Sequence, residues 1–239
     1  MKKSIIMLVT VASFATLALQ SCKSNTEEEA MMQKPLTEQA SVGNEIASVS
    51  TSEAKVATTK NLLDAYKGET TASAKYLAYS KKAEEEGFHE IAILFATASK
   101  SEKIHANNHK AVLEESGQIV ATITPEFTVQ STKDNLQDAI KGEGYEISTM
   151  YPEFLTTAKK AENQLAQVSF NYAYKTEQKH KVFYEKALAA LKSNSVKTLP
   201  TVYYICPTCG NTYDTTAPKR CGISMTSAEK FIKIVNLTT

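Results

Sequence analysis

Two short motifs in this 239-residue sequence pair a glutamate with a histidine three residues later. The first motif is Glu102-Lys103-Ile104-His105, and the second is Glu177-Gln178-Lys179-His180. Residues three apart lie on the same face of a helix, so each motif can present a carboxylate and an imidazole together. Carboxylate oxygens and imidazole nitrogens suit iron and related metals. The two motifs therefore indicate metal binding.

An internal repeat relates these motifs to two further glutamates. The segment 61–69 ends in Glu69 and recurs 74 residues later as 135–143, which ends in Glu143. The two Glu-x-x-His motifs lie 75 residues apart, at nearly the same offset. A single Glu-x-x-His is more often a solvated helix face than a metal site, but a repeated set predicts two related helical hairpins. Each hairpin carries a glutamate on its first helix and Glu-x-x-His on its second.

The four glutamates fall on the apolar stripes of their helices. Glu69 follows Leu62 and Ala65 at helical steps, and the other three glutamates occupy equivalent positions. A carboxylate in a bundle core is unfavourable unless it is paired, hydrogen-bonded or bound to a metal. No lysine or arginine lies on these stripes, so we expect two metal ions, most simply iron, to balance the charge.

A fifth carboxylate breaks the symmetry of the repeat. Glu146 lies one turn after Glu143, whereas the first hairpin has Ala72 at the equivalent position. It is either an additional ligand or a hydrogen-bonded or solvated neighbour. Pro152 follows within the same helix and removes a backbone hydrogen bond, so the sequence predicts a kink just past Glu146.

Two tyrosines and one further histidine lie near the candidate ligands. Tyr76 and Tyr151 are placed to donate hydrogen bonds to ligating carboxylates, which would fix the ligands' orientation, or they are simply core aromatics. His109 lies one turn after His105, and a histidine in this position is more often a core or surface residue than a ligand.

Turn signals divide the central part of the chain into four helices. Gly87 separates the first pair, Gly117 to Pro125 form a long crossover, and the second pair turns near Glu162 to Gln164. One long connection between two hairpins is the ferritin-like topology. We therefore expect a mainly α fold, with a ferritin-like four-helix bundle over residues 58–195.

The composition changes after Pro200, where cysteines appear in pairs. Cys206 and Cys209 form one Cys-x-x-Cys knuckle, but the second knuckle is Cys221-x-x-Ser224. Two complete knuckles would bind iron or zinc through four sulfurs. Three alternatives remain: a metal held by three thiolates and one oxygen ligand, a disulfide between Cys206 and Cys209, or a vestigial domain without metal.

The sequence of the N-terminal region predicts an export signal followed by a flexible tether. Residues 1–21 combine two lysines with an apolar run too short for a comfortable bilayer span, which predicts a signal peptide. A small residue before Cys22 is similar to the lipobox of bacterial lipoproteins, so we expect a lipid-modified Cys22; ordinary signal cleavage is the alternative. Residues 22–57 are rich in polar residues and lack aromatics, which predicts a flexible tether. The expected location is the cell envelope, as a periplasmic or outer-membrane lipoprotein.

Charge excludes a dominant nucleic-acid footprint. The chain has 27 basic and 26 acidic side chains and a net charge of +1. Removal of residues 1–21 would take away Lys2 and Lys3 and leave 25 basic side chains against 26 acidic ones. Proteins that bind nucleic acid nonspecifically carry a marked basic excess, so we expect no nucleic-acid partner.

The motifs together resemble those of rubrerythrins, which join a di-iron four-helix bundle to a C-terminal rubredoxin-like domain. The resemblance covers about residues 58–239 and implies a small, degenerate rubredoxin-like β/knuckle domain over 200–239. The segments that carry it are Lys67-Gly68-Glu69, Glu86-Gly87-Phe88, Glu102–His105, Gly142–Glu146, Met150–Phe154, Glu177–His180 and Cys206–Gly210.

The resemblance implies a full set of site residues and a reaction. The implied ligands of two iron ions are Glu69, Glu102, His105, Glu143, Glu146, Glu177 and His180. Glu146 and His105 would exchange on one iron as its oxidation state changes. A further iron or zinc would be held by Cys206, Cys209, Cys221 and Ser224. The implied reaction is reduction of hydrogen peroxide to water, with electrons from a donor protein that the sequence does not identify, in a chain that is compatible with a homodimer.

Two departures keep other functions open. Ser224 interrupts the centre through which electrons would enter, and the export signal would place a usually cytoplasmic family outside the inner membrane. The alternatives are a ferroxidase or iron-binding protein without peroxidase turnover, and an anchored structural protein with a relict site.

Overall fold

The computed structural model of the protein describes residues 37–237. The predicted signal peptide, the predicted lipidation site Cys22 and the first part of the predicted tether lie outside these residues. Between residues 37 and 237, none of the helices is long and apolar enough to cross a membrane.

Five α-helices form the bundle. They are α1 (Thr37–Glu85), α2 (His89–Glu115), α3 (Thr132–Tyr145), α4 (Tyr151–Lys160) and α5 (Gln164–Lys192). A single π-helical turn, Glu146–Met150, joins α3 directly to α4, so these two act as one bundle helix. The mainly α architecture predicted from the sequence, four bundle helices in two hairpins, is confirmed.

The connections follow from local chemistry at the helix ends. Gly87 has φ of +83° in the turn between α1 and α2, a backbone conformation that glycine adopts without strain. The side chain of Ser131 accepts a hydrogen bond from the backbone N–H of Asp134 at the start of α3, and Asn163 caps α5 through the N–H of Ala166. The crossover between α2 and α3 carries no helix or strand over residues 118–131.

Helix α1 begins earlier than the sequence predicts. It starts at Thr37 and therefore includes residues 37–57, for which we expected a flexible tether. This part of the expectation is corrected, because the polar composition of the segment is also compatible with a helix. Ala54 and Thr58 are buried, and the Thr58 hydroxyl donates to the Ala54 carbonyl at 2.8 Å.

The kink predicted at Pro152 takes the form of the π turn. The backbone N–H of Tyr151 donates to the carbonyl of Glu146, five residues earlier, which is the π-helical pattern. Pro152 follows at the start of α4, where its missing N–H is tolerated. Glu146 thus stands at the first residue of an irregular turn inside the bundle.

A small three-stranded sheet follows the bundle and carries the cysteines. Its strands are β1 (Tyr203–Ile205), β2 (Thr212–Asp214) and β3 (Ile232–Ile234), arranged antiparallel in the order β2-β1-β3. Cys206 directly follows β1, and Cys209 lies shortly before β2. The small C-terminal β/knuckle region predicted from the sequence is confirmed.

Two apolar layers enclose a polar centre in the bundle. One layer contains Tyr76, Phe95 and Tyr184, and it extends to the first strand of the sheet. The other contains Tyr151 and Phe170. The charged residues between these layers are therefore shielded from water on both sides.

Candidate metal centre

Six of the predicted ligands converge in the core from all four bundle helices. They form two groups, Glu69, Glu102, His105 and Glu177, and Glu102, Glu143, Glu177 and His180. In each group, one ligand atom from every residue lies within 4.8 Å of the others. Glu102 and Glu177 belong to both groups, which places two metal positions side by side with two carboxylates between them.

The shared glutamates present one oxygen to each histidine. His105 Nδ1 lies 3.0 Å from Glu102 Oε2 and 2.8 Å from Glu177 Oε1. His180 Nδ1 lies 3.0 Å from Glu102 Oε1 and 2.7 Å from Glu177 Oε2. Glu102 and Glu177 would therefore help to hold both ions, while Glu69 and Glu143 would each help to hold one.

The buried ligand atoms fit metal ions because they lack hydrogen-bond partners. The six residues are at most 2% exposed. When both imidazoles are neutral, Nδ1 of both histidines and both oxygens of Glu102 and of Glu177 have no hydrogen-bond partner. Buried polar atoms without partners are strongly unfavourable, so their convergence calls for cations, either metal ions or added protons. The set of four carboxylates and two imidazoles suits two divalent ions of the iron class.

Electrostatics show what the centre does when it holds no cation. Burial would raise the pKa of Glu177, but the charges of His105 and His180 lower it to about 2. Burial opposes protonation of His180, but Glu102 and Glu177 raise its pKa to about 9. Burial, followed by the charges of Glu146 and Glu177, raises the pKa of Glu69 well above its ordinary value. Protons therefore occupy the centre in place of metal.

Metal affinity is therefore expected to rise with pH. Because the pKa of His180 is raised to about 9, a metal must displace its proton below that pH. Apparent zinc affinity of the bundle, measured in a Cys206→Ala chain whose knuckle site is removed, should increase about tenfold per pH unit for each proton displaced, up to about pH 9. Titration with a chelator as competitor from pH 6 to 8 measures this slope, and an affinity independent of pH would contradict it.

The raised pKa of His180 makes the metal-free fold less stable, not more stable, as pH rises. The raised pKa of His180 means that its ion pairs stabilise the fold fully below about pH 6.5 and that this contribution is lost as pH rises through about 9. Metal-bound protein should therefore gain, and metal-free protein lose, relative stability on going from neutral to alkaline pH.

Both predicted tyrosines reach ligating carboxylates. The Tyr76 hydroxyl donates to Glu143 Oε1 at 2.7 Å, and the Tyr151 hydroxyl donates to Glu69 Oε1. Glu69 and Glu143 are the two carboxylates that lie in only one group each. Each terminal carboxylate is thus oriented by one phenol from outside the ligand set.

Glu146 stands apart from the other predicted ligands. It is partly buried and belongs to neither group of converging ligand atoms. Its charge is nevertheless the second contribution, after burial, to the raised pKa of Glu69. The structure therefore brings His105 into the centre and leaves Glu146 beside it.

The cysteine knuckle forms a second candidate site. Cys206, Cys209 and Cys221 are buried, free of disulfides and close enough to hold one ion. Cys209 Sγ lies 3.5 Å from Cys221 Sγ, and Cys206 Sγ lies 3.2 Å from Ser224 Oγ. Tetrahedral coordination with metal–sulfur bonds of about 2.3 Å requires sulfur separations of about 3.8 Å. These distances fit an ion held by three thiolates, with the Ser224 oxygen at the remaining position.

The knuckle packs directly on the bundle centre, which the sequence does not reveal. His105 Nε2 donates to the Cys209 carbonyl at 3.0 Å, and His180 Nε2 lies 3.0 Å from Thr212 Oγ1. Ser101 Oγ also donates to the Gly210 carbonyl at 2.7 Å. Because a carbonyl only accepts, Nε2 of His105 carries the proton, and the Nδ1 lone pair of the neutral ring faces the metal position.

Gly210 permits this close approach. Its φ is +77°, and a Cβ added there would meet the His105 ring, lying 2.8 Å from Cδ2, and Ser101 Oγ at 2.9 Å. Gly210→Ala should therefore weaken the packing of the cysteine knuckle on the bundle by about 2 kcal/mol or more, because the alanine would strain the backbone and its Cβ would overlap His105 and Ser101. Amide hydrogen exchange in residues 203–237 should rise while the bundle stays protected. Gly68→Ala, where an added Cβ meets nothing within 4 Å, is the control; equal exchange in both variants would contradict the prediction.

Comparison with known proteins agrees with the fold. The family model described as rubrerythrin matches residues 60–188. Rubrerythrin-2 of Clostridium acetobutylicum is 37% identical over 173 residues, covering 71% of this chain and 92% of the relative. A solved structure of fully reduced, all-ferrous nigerythrin aligns with a TM-score of 0.67 at 31% identity, covering 74% of this chain and 86% of that one.

A more distant solved structure supports the fold alone. Bacterioferritin of Desulfovibrio desulfuricans aligns with a TM-score of 0.57 at 18% identity, covering 70% of this chain and 98% of that one. The ferritin-like bundle predicted from the sequence is thereby confirmed. The range matched by the family model contains all six converging ligands. The chain belongs to the rubrerythrin family.

Proposed function

We propose that this protein is a non-haem di-iron oxidoreductase that reduces hydrogen peroxide to water. Family membership supports an oxidoreductase, and the two groups of ligands support a two-metal centre with a further metal at the knuckle. Iron as the native metal is supported by the all-ferrous nigerythrin structure to which the chain is similar. When bound, the iron pair would supply the two electrons that peroxide reduction consumes.

The contact between the knuckle and the bundle is the observation that carries this proposal. The Cys209 carbonyl accepts a hydrogen bond from Nε2 of His105. The other ring nitrogen of His105, Nδ1, faces the metal position. A sulfur-bound metal in the knuckle and the metal pair would therefore be linked through two residues, Cys209 and His105, and the one hydrogen bond between them. A protein that only stores metal needs no such link, whereas an enzyme that must be re-reduced after each turnover does.

The remaining residues would exclude water and hold protons. The apolar layers around Phe95 and Phe170 keep bulk water from the centre. Peroxide reduction also consumes two protons. In the metal-free protein, burial and the charges of Glu177 and Glu102 raise the pKa of Glu146 well above its ordinary value, so its carboxyl group holds a proton there. We propose that Glu146 and His105, as the family resemblance implies, are the residues that respond to a change in iron oxidation state.

Oxidation of the reduced protein tests the reaction. The full-length chain, loaded with iron and reduced anaerobically, should be oxidised rapidly by one equivalent of hydrogen peroxide and more slowly by oxygen. Stopped-flow absorption measures both rates. Oxidation by oxygen that is as fast as, or faster than, oxidation by peroxide would contradict the proposed function.

Ser224 in the knuckle favours a second candidate, an iron-binding protein or ferroxidase without peroxidase turnover. Replacement of a sulfur ligand by oxygen weakens the expected electron entry. In that case the bundle would take up many iron atoms per chain during aerobic loading, whereas a peroxidase should stop near two at the bundle. An anchored structural protein with a relict site would contain no metal after expression in iron-replete anaerobic cells.

We also propose attachment to the cell envelope through a lipid on Cys22. The support is the sequence of residues 1–22, where a short apolar run precedes the cysteine. Metabolic labelling with palmitate should mark the wild-type chain, and Cys22→Ala should remove the label and release the protein from membranes. On the basis of the family resemblance, we propose as well that the chain receives electrons from a donor protein and forms a homodimer.

A further inference from the structure

A chain of four buried polar side chains leads from the metal centre into the apolar layer beside it. Ser169 Oγ lies 2.7 Å from His109 Nδ1, and His109 Nε2 lies 3.2 Å from the Tyr151 hydroxyl. The Tyr151 hydroxyl in turn donates to Glu69. All four residues are at most 4% exposed. Such a chain in a core is unfavourable unless every donor meets an acceptor.

Only one arrangement of hydrogens satisfies this chain when Glu69 binds a metal. A ligating carboxylate is ionised and only accepts, so the single hydroxyl hydrogen of Tyr151 must point to Glu69. The Tyr151 oxygen can then only accept from His109, which places the ring hydrogen on Nε2. His109 Nδ1 consequently accepts from the Ser169 hydroxyl. Every hydrogen in the chain points towards the metal centre.

We propose that His109 is a positioning residue, which holds the Tyr151 hydroxyl so that its hydrogen stays on Glu69 and thereby orients this metal ligand. The proposal rests on the two-metal centre of the proposed function but not on the reaction with peroxide. It goes beyond the family resemblance, in which His109 has no assigned role.

The surroundings keep His109 in the neutral form that this role requires. It belongs to neither group of converging ligand atoms, and its ring packs against Phe170 and Tyr151 with centroids 5.5 Å and 6.1 Å away. Burial, with a further contribution from the charge of His105, lowers the pKa of His109 to about 3. A charged ring would carry a hydrogen on both nitrogens and would leave Ser169 without its acceptor.

The first test reads the tautomer directly. Nitrogen-15 NMR of histidine in the full-length, zinc-loaded chain distinguishes protonated from unprotonated ring nitrogens. We expect His109 to be neutral, with the hydrogen on Nε2, throughout the pH range from 6 to 8. A hydrogen on Nδ1, or a charged ring at neutral pH, would overturn the proposal. This measurement requires no activity and no variant.

The second test uses a pair of variants and a control. His109→Phe fits the aromatic surroundings but removes the donor, and it should weaken zinc binding at the pair by about 10- to 100-fold, as loss of a group that orients a ligand does. His109→Gln can place an amide N–H near the Nε2 position and should restore most of the affinity. His89→Gln, at an exposed histidine paired with Glu84, should leave zinc affinity unchanged.

The outcomes separate this proposal from the proposed function. Wild-type affinity in the folded His109→Phe variant, checked by its thermal unfolding midpoint, would overturn the positioning role. Equal losses in the Phe and Gln variants would do the same, because they would show that ring packing rather than the donor matters. A wild-type protein that binds zinc as expected but does not react with peroxide would contradict only the proposed function.

Discussion

Glu177→Gln is expected to remove both metal ions from the bundle rather than one. Glu177 belongs to both groups of ligand atoms and lies within 2.8 Å of Nδ1 of both His105 and His180. An amide has one acceptor oxygen and no charge, so it cannot replace a carboxylate that bridges two ions. The variant should bind no iron at the bundle and should not be oxidised by peroxide, as measured by metal analysis and stopped-flow absorption.

A matched variant distinguishes loss of a ligand from loss of a buried charge. Glu90, on α2, is buried like Glu177. It pairs with Lys197 at 3.2 Å, however, and lies in neither group of ligand atoms. Glu90→Gln should therefore retain both ions, although it loses an ion pair. If Glu177→Gln retained one ion, Glu177 would not be shared between the two metal positions, and that assignment would be wrong.

The convergence of six of the seven candidate ligands could be predicted because helical spacing is strict. Residues three or four apart must share a face, so Glu-x-x-His on a stripe of apolar residues determines where both side chains point. The repeat then related the two hairpins without any knowledge of their packing. The sequence positions of Tyr76 and Tyr151 also predict that they lie near the carboxylates, and the structure has them donating to Glu143 and Glu69.

Contacts between distant segments follow no such spacing. His105 and Cys209 are 104 residues apart, and no periodic pattern connects a bundle helix with a cysteine knuckle. Gly210 is the one residue whose type is required there, but a glycine after Cys-x-x-Cys also has the local role of turning the knuckle. The contact between the cysteine knuckle and the bundle can therefore be recognised only from the three-dimensional structure.

Backbone irregularities were predictable in position but not in form. Pro152 signalled a disturbed helix, yet a missing N–H can produce a bend or an extra residue in the turn. The structure has a π turn, and this leaves Glu146 at the edge of the centre. Polar composition also misplaces the start of α1, because it predicts disorder although Ala54 and Thr58 in this stretch are buried.

The cysteine knuckle has an oxygen where a site built from two complete Cys-x-x-Cys motifs would have its fourth sulfur. Ser224 Oγ lies near Cys206 Sγ, and its hydroxyl is 2.8 Å from Thr226 Oγ1. A neutral hydroxyl is a weaker ligand for zinc or iron than a thiolate. The knuckle should consequently bind metal, but less tightly than a site with four sulfurs.

Ser224→Cys is therefore expected to tighten metal binding at the knuckle by about 100-fold or more. Structural zinc sites gain about 10 to 16 kcal/mol from four ligands, so one additional thiolate is worth about 3 kcal/mol. Competition with a chelator measures the zinc affinity, and the absorption of the iron-loaded variant should shift towards that of a four-sulfur centre. Cys206→Ala in either background should abolish this site and leave the bundle metals in place, so the two sites can be read separately.

The control for Ser224→Cys is Ser193→Cys, which adds a thiol at an exposed position after α5 and should change neither property. Unchanged affinity in Ser224→Cys would show that residue 224 does not face the ion, despite its distance of 3.2 Å from Cys206 Sγ. Because the Cys209 carbonyl contacts His105, a knuckle that holds iron in more of the chains should also raise the fraction of bundle iron that is re-reduced when iron is limiting. A more fully occupied knuckle without a larger re-reduced fraction would mean that electrons reach the bundle by another route.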